Sequence, residues 1–151
     1  MDHADRGRVP VHLWIVGALA LLWNAFGCYD YLMTRMRNTD YLREMMPTVD
    51  PNAMLAWIDS FPIWAQFGWG LGVWGGLVGA ILLLMRSRWA VLAMGLSLLG
   101  AVLGLGYQAL AAPPLEGVHG SASDMMPYVI IAVALALFVY ARAMRSKGVL
   151  R

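Results

Sequence analysis

Four long stretches of the chain combine mainly apolar residues with no charged side chain. They run from Val9 to Tyr29, from Ser60 to Met85, from Trp89 to Leu115 and from Met125 to Ala141. Because a helix needs about 20 apolar residues to cross a bilayer, each stretch predicts one transmembrane helix. The fourth stretch is short, but Arg142 and Arg145 can extend it, since long cationic side chains reach back to the interface. The pattern therefore predicts helices at about 10–33, 61–85, 89–111 and 126–144, with an outer loop at 34–60.

The loop at 34–60 has a helical pattern of its own. Apolar residues from Leu32 to Met46 recur near one face, which predicts that the first helix continues beyond the bilayer until Pro47 ends it. A second short helix is expected to start after Asp50, because Asp is a good N-cap and Pro51 suits the first helical position. The outer loop is therefore predicted to be partly helical.

Composition supports a membrane protein. Of the 151 residues, 60% are apolar and 13% are charged, whereas about 25% are charged in an ordinary soluble domain. We therefore predict one integral membrane domain over 1–151, an all-α bundle of four transmembrane helices. Its only cysteine, Cys28, excludes an internal disulfide and favours a small apolar packing role.

The 11 Lys and Arg residues are unevenly distributed along the chain. With four spans, the N-terminal tail, the turn near residue 87 and the C-terminal tail share one side. That side carries most of the cations: Arg6, Arg8, Arg86, Arg88, Arg142, Arg145, Lys147 and Arg151. The other side carries only Arg35, Arg37 and Arg43. The positive-inside rule therefore predicts that both termini are cytoplasmic. Because the cations are spread over several loop ends, the sequence predicts no nucleic-acid partner.

Small residues recur every three or four positions in the second and third predicted helices. They are Gly68, Gly72, Gly75, Gly76, Gly79, Ser97, Gly100 and Gly104. Such spacing lets helix backbones approach closely, which is a main source of helix association in lipid. Because only a short "RSR" turn joins the two helices, the stripe predicts a tightly packed hairpin. A homo-oligomer interface or a groove for a flat ligand are the alternatives.

Polar side chains gather at the outer ends of the predicted helices. They are Asn24, Asp30, Gln66, Tyr107, Gln108 and Tyr128. Polar groups inside a membrane are costly unless they face the interior of the bundle. The shared depth of these residues therefore predicts a polar, ligand-binding chamber that is open to the outer side. The alternatives are local roles: Asn24 as an interhelical hydrogen-bond former, and Asp30 as an interfacial carboxylate that pairs with Arg35 or Arg37.

Sequence features of an enzyme are absent. There is no Cys-x-x-Cys, no His-Glu-x-x-His and no phosphate-binding glycine loop. His12 and His119 are predicted at opposite sides of the membrane, so they cannot ligate one iron. We therefore predict no enzyme, no cofactor and no metal site. Below Asn24 the first helix has an apolar inner half, which argues against a transport route through a single copy.

The segment "WNAFGCYDYLMTRMRN" at 23–38 resembles the first-helix signature of an uncharacterised family of small four-helix bacterial inner-membrane proteins. The motifs "GVWGG" at 72–76, "SRWA" at 87–90 and "YARAM" at 140–144 are similar to the same family. The resemblance implies a bacterial inner-membrane location, and some members are labelled as sugar transporters.

Two functions remain open at this point. The sequence favours an accessory or structural subunit of a membrane assembly, with a polar pocket open to the outer side. The alternative is a small-solute transporter or ligand-binding module that acts as a homo-oligomer. The expected partners are the lipid bilayer and either a larger membrane complex or further copies of the chain.

Overall fold

All regular structure in the described residues, 9–117 and 124–151 of a computed structural model, is helical. The six helices are α1 (Val11–Arg35), α2 (Thr39–Met45), α3 (Pro51–Asp59), α4 (Ile63–Leu84), α5 (Ala90–Leu110) and α6 (Met126–Ser146). By length and composition, α1, α4, α5 and α6 can each cross a membrane. The predicted all-α bundle of four transmembrane helices is confirmed. Arg6, Arg8 and His119 lie outside the described residues.

The first long helix does not continue to Pro47, so that prediction is wrong. α1 ends at Arg35, and Arg37 takes a left-handed conformation with φ 56°. Asn38 then caps α2, since its side chain accepts a hydrogen bond from the backbone N–H of Tyr41 at 3.0 Å. The apolar periodicity continued across the break, but the cap at Asn38 starts a new helix in a new direction.

The second short helix begins where the sequence predicted. Asp50 is the N-cap of α3 and accepts a hydrogen bond from the backbone N–H of Ala53 at 3.0 Å, while Pro51 occupies the first turn. The Trp57 indole N–H donates to the backbone carbonyl of Pro113 at 2.7 Å, which ties α3 to the loop after α5. The outer loop between α1 and α4 is therefore partly helical, as predicted.

The four long helices pack side by side in the order α1, α4, α5, α6. The α4–α5 interface is the most extensive, followed by α1–α4 and α5–α6, whereas α1 and α6 make only slight contact. The short turn between α4 and α5 makes those two helices antiparallel neighbours. The bundle is consequently open on the side between its first and last long helices.

The glycine stripe lies in the interface between α4 and α5. A Cβ atom on Gly68 would lie 2.9 Å from the backbone nitrogen of Gly104, and one on Gly72 would lie 3.1 Å from that of Ala101. The Ser97 hydroxyl donates across the interface to the carbonyl of Gly72 at 2.6 Å. Close backbone approach therefore joins the two helices.

One end of the bundle, here called the basic end, holds the start of α1, the α4–α5 turn and the end of α6. Arg86, Arg88 and Arg151 lie there, and the backbone N–H groups of Arg88 and Arg151 donate to the carbonyls of Arg151 and Arg86 respectively, both at 2.8 Å. His12 Nδ1 and the Tyr140 hydroxyl, 2.6 Å apart, join α1 to α6. The opposite end, which carries α2 and α3, is called the loop end.

Candidate ligand-binding cleft between α1 and α6

A cleft of about 330 Å³ lies between α1 and α6, with α4 and α5 as its floor. Its walls are mainly apolar. The lining residues are Trp23, Asn24, Phe26, Gly27, Asp30, Met45, Trp69, Gly72, Val73, Met94, Ser97, Ala101, Leu105, Met126, Ile130, Val133, Ala134 and Leu137. The order of helix packing creates the cleft, because α1 and α6 each have a neighbour on one side only.

The cleft is closed toward the basic end and open at its side. Toward the basic end, Leu13, Leu83 and Met94 belong to a fully buried apolar core, so the cleft does not continue through the bundle. On α1, Trp23 and Phe26 line the cleft and remain 42% and 56% exposed. An apolar molecule in the surrounding bilayer can therefore reach the cleft from the side.

Two polar side chains lie at the floor of the cleft. The Asn24 amide donates to the carbonyl of Ala20 at 2.7 Å, within its own helix, so the interhelical hydrogen bond considered for Asn24 is not formed. Its oxygen and the Ser97 hydroxyl both lie against Gly76, where a Cβ atom would be 3.0 Å from the hydroxyl oxygen. The absence of a side chain at Gly76 makes room for both groups.

Asp30 lies nearer the loop end of the same cleft and is half-buried. Its Oδ1 accepts a hydrogen bond from the Tyr41 hydroxyl at 2.8 Å. Tyr41 belongs to α2, and Met45 of the same helix also lines the cleft. α2 therefore covers the loop end of the cleft, and its Tyr41 fixes the orientation of the Asp30 carboxyl group.

Asp30 pairs with neither arginine that the sequence suggested. Arg37 forms an ion pair with Asp59. Arg35 donates to the Gln66 side chain at 3.0 Å, and its guanidinium lies 5.4 Å from the centre of the Tyr31 ring. Neither arginine lines the cleft. Arg35 follows Asp30 by five residues and so lies on another face of α1, and Arg37 lies beyond the end of that helix.

The Tyr41 hydroxyl remains a hydrogen-bond donor over a wide pH range. Burial raises the pKa of Tyr41 above its ordinary value, and the hydrogen bond to Asp30 and the negative charge of Asp30 raise it further. The phenol ring also packs edge-to-face on Tyr29, with ring centres 5.5 Å apart. Tyr41 is consequently a neutral donor held next to the Asp30 carboxyl group.

The other predicted site residues do not join Asn24 and Asp30. Gln66 and Gln108 line a separate pocket of about 70 Å³ beneath α3. Tyr107 packs against Phe61 and Trp64, with ring centres 5.1 and 5.4 Å away, and Tyr128 is 51% exposed. The structure thus divides the predicted chamber, because the wide ring of Trp69 lies between the pocket and the cleft and lines both.

Several lining residues of the cleft were not among the predicted site residues. Trp23 and Phe26 share a helical stripe with Asp30, which is a signal that the sequence contained. Tyr41, which contacts Asp30 but does not itself line the cleft, had no such signal, because its position depends on the break at Arg37. Ser97 was assigned to helix packing, and it serves both the packing and the cleft floor.

The polar groups that line the cleft are few. Across 9–117 and 124–151, no group of three His, Cys, Asp or Glu side chains is arranged to hold a metal ion. The described lining residues offer large apolar surfaces, the Asp30 carboxyl group, the Asn24 amide and the Ser97 hydroxyl. Comparisons with known protein families, curated proteins and solved structures found no match for this chain.

Proposed function

We propose that this protein is a non-enzymatic, membrane-embedded binding module that takes a small amphipathic molecule into the cleft between α1 and α6. The observation that carries the proposal is the cleft itself. Its volume of about 330 Å³ lies within the range of pockets that hold small molecules, roughly 300–1,000 Å³, and its apolar walls carry only a few placed polar groups. Asp30 and Asn24 would orient the polar part of the ligand.

Binding is favoured over passage through a single copy. Transport of a polar solute needs polar groups along the whole route, but the cleft stops at the core around Leu13, Leu83 and Met94. A transport function would therefore need an oligomer or a large movement of α6. Some members of the family that this sequence resembles are labelled as sugar transporters, but that label alone does not favour transport through a single copy.

We also propose that the protein resides in a bacterial inner membrane with its basic end in the cytoplasm. Six cationic residues of the described part of the chain lie at the basic end: Arg86, Arg88, Arg142, Arg145, Lys147 and Arg151. An excess of cations is typical of the cytoplasmic side. With this orientation the Asp30 end of the cleft faces the outer side.

A role as an accessory subunit of a larger membrane assembly is the second candidate. The observation in its favour is the sparse burial of α6, in which only Pro127, Ala141 and Met144 are buried. A partner helix that packed on α6 would cover the open side of the bundle. In that case the cleft would be an interface between chains.

Two matched variants of α6 test the binding function. Ala134 lines the cleft, whereas Ala136, two residues further, is exposed outside it. The probe is the neutral fluorescent amphiphile N-phenyl-1-naphthylamine, added to the full chain in neutral detergent. We expect saturable binding to the unaltered protein and to Ala136→Phe, and a loss of affinity of about tenfold or more in Ala134→Phe, because the phenyl ring fills the cleft.

Equal binding to the two α6 variants would contradict the binding function.

The accessory-subunit function is tested by extracting the native protein in mild detergent and analysing it by native gel and mass spectrometry. A defined complex with another membrane protein that Ala134→Phe disrupts and Ala136→Phe preserves would make the open side an interface between chains.

A further inference from the structure

We propose that the molecule bound in the cleft between α1 and α6 is a lipophilic organic cation, whose charged group pairs with Asp30. This inference rests on the binding function proposed above and names the class of ligand. It follows from three observations: the charge of the cleft lining, the accessibility of the Asp30 carboxyl group, and the aromatic rings around it.

Among the described residues, Asp30 is the only charged side chain that lines the cleft. The cations of the loop end are engaged elsewhere: Arg37 pairs with Asp59, and Arg43 pairs with Asp40 at 3.1 Å. The Arg35 guanidinium lies 5.4 and 5.5 Å from the centres of the Tyr31 and Trp69 rings and donates to Gln66. In the described part of the chain, no basic side chain balances the charge of Asp30.

The Asp30 carboxyl group has one neutral partner and one accessible oxygen. Oδ1 accepts from the Tyr41 hydroxyl, and no group of the described residues donates to Oδ2. None of the buried side-chain oxygens in the described residues lacks a partner, so the unpartnered Oδ2 is not fully buried. An ionised carboxylate in apolar surroundings is costly unless a cation accompanies it. A cationic group is therefore the complement that suits this position.

Aromatic rings of the same cleft favour a cation with apolar substituents. Trp23 and Phe26 both line it, and the face of an aromatic ring attracts a cation, most strongly for tryptophan. A carboxylate together with these rings suits an ammonium or phosphonium group whose substituents fill the apolar walls. An anion of the same shape would be repelled by Asp30 and gain nothing from the ring faces.

Two ions of the same size and opposite charge test this inference directly. Tetraphenylphosphonium and tetraphenylborate are titrated separately into the full chain in neutral detergent, and binding to empty micelles is subtracted. We expect the cation to bind about tenfold or more tighter than the anion, since even one partly screened ion pair is worth that factor. Equal affinity for the two ions would overturn the inference.

A pair of Asp→Asn variants assigns the selectivity to the cleft. Asp30→Asn removes the charge and keeps an oxygen that can accept from Tyr41, so we expect a loss of affinity for tetraphenylphosphonium of about tenfold or more. Asp40→Asn removes the same charge from a side chain that is 88% exposed outside the cleft, and we expect no change. Circular dichroism and gel filtration establish that both variants are folded.

The neutral probe separates this inference from the binding function. Asp30→Asn should weaken the binding of N-phenyl-1-naphthylamine much less than that of tetraphenylphosphonium, because the neutral probe forms no ion pair with Asp30. If the neutral probe binds but the phosphonium ion shows no dependence on Asp30, the cation inference fails and the binding function remains. If Ala134→Phe affects the binding of neither molecule, the cleft is not the site and both proposals fail.

Discussion

At the scale of single residues, the positions of the glycines determine how closely α4 and α5 approach each other. Gly72 of α4 and Gly100 of α5 face each other, and a Cβ atom on Gly100 would lie 2.9 Å from the carbonyl carbon of Leu71. Because the obstacle is backbone, neither helix can yield by a side-chain rotation. By contrast, Gly106 of α5 has nothing within 4 Å of the place where a Cβ would lie.

These two glycines of α5 make a matched pair for a stability measurement. Gly100→Ala is expected to destabilise the protein by about 1–3 kcal/mol, because the added methyl group forces α4 and α5 apart. Gly106→Ala should leave stability unchanged or raise it by up to about 1 kcal/mol, since Ala is the better helix former. Unfolding by SDS in mixed micelles, followed by circular dichroism, measures both. Similar losses in the two variants would mean that the stripe reflects composition and not packing.

The sequence predicted some residues of the cleft and missed others for a physical reason. Asn24 and Asp30 were recognisable because a polar group in an apolar helix is costly and therefore conspicuous. Gln66 and Gln108 were equally conspicuous, but Trp69 separates them from the cleft. A sequence predicts how deep in the membrane a polar side chain lies. The direction in which that side chain points depends instead on how each packed helix is rotated about its axis.

At the scale of elements, the break between α1 and α2 decides what covers the loop end of the cleft. Periodicity predicted one continuous helix, because apolar residues keep the same spacing on both sides of Arg37. The overlooked signal was "NTD" at 38–40, in which Asn38 is a good N-cap and Asp40 lies in the first turn of α2. The four long helices were easier to predict, since the bilayer sets their length and composition.

The cap at Asn38 is expected to hold α2 in place over the cleft. Asn38→Ala removes the acceptor for the Tyr41 N–H and should destabilise α2 by about 0.5–2 kcal/mol. Amide hydrogen exchange of residues 41–45, measured by mass spectrometry, should then become about 2- to 30-fold faster. Asn52→Ala, an exposed position in α3, is the control and should leave exchange in α2 unchanged. Unchanged exchange in Asn38→Ala would show that packing alone holds α2.

At the scale of the whole molecule, the row of helices explains the lateral cleft. The sequence predicted the α4–α5 contact, because a short turn forces those helices together. The order α1, α4, α5, α6 could not be derived in the same way, since the long loops before α4 and after α5 permit several arrangements. The open side between α1 and α6 is a property of that order, so the cleft was visible only in the structure.

The orientation proposed for the whole molecule can be checked with two introduced cysteines. Asn52→Cys lies at the loop end and Ser146→Cys at the basic end, and both positions are exposed. A membrane-impermeant maleimide should label Asn52→Cys in intact cells and Ser146→Cys only after the membrane is opened, because cations favour the cytoplasmic side. The unaltered protein is the control, since Cys28 is 5% exposed. The reverse labelling pattern would place the basic end outside.

The uneven burial of the long helices also sets an order of disassembly. In its most apolar segment α6 is 11% buried, against 22–33% for the other three long helices, and the α4–α5 hairpin has the largest interface. Regions with few buried contacts open with the smallest free energy. The hairpin is therefore expected to be the last part of the bundle to separate, and α6 is expected to detach from it more readily than the hairpin opens.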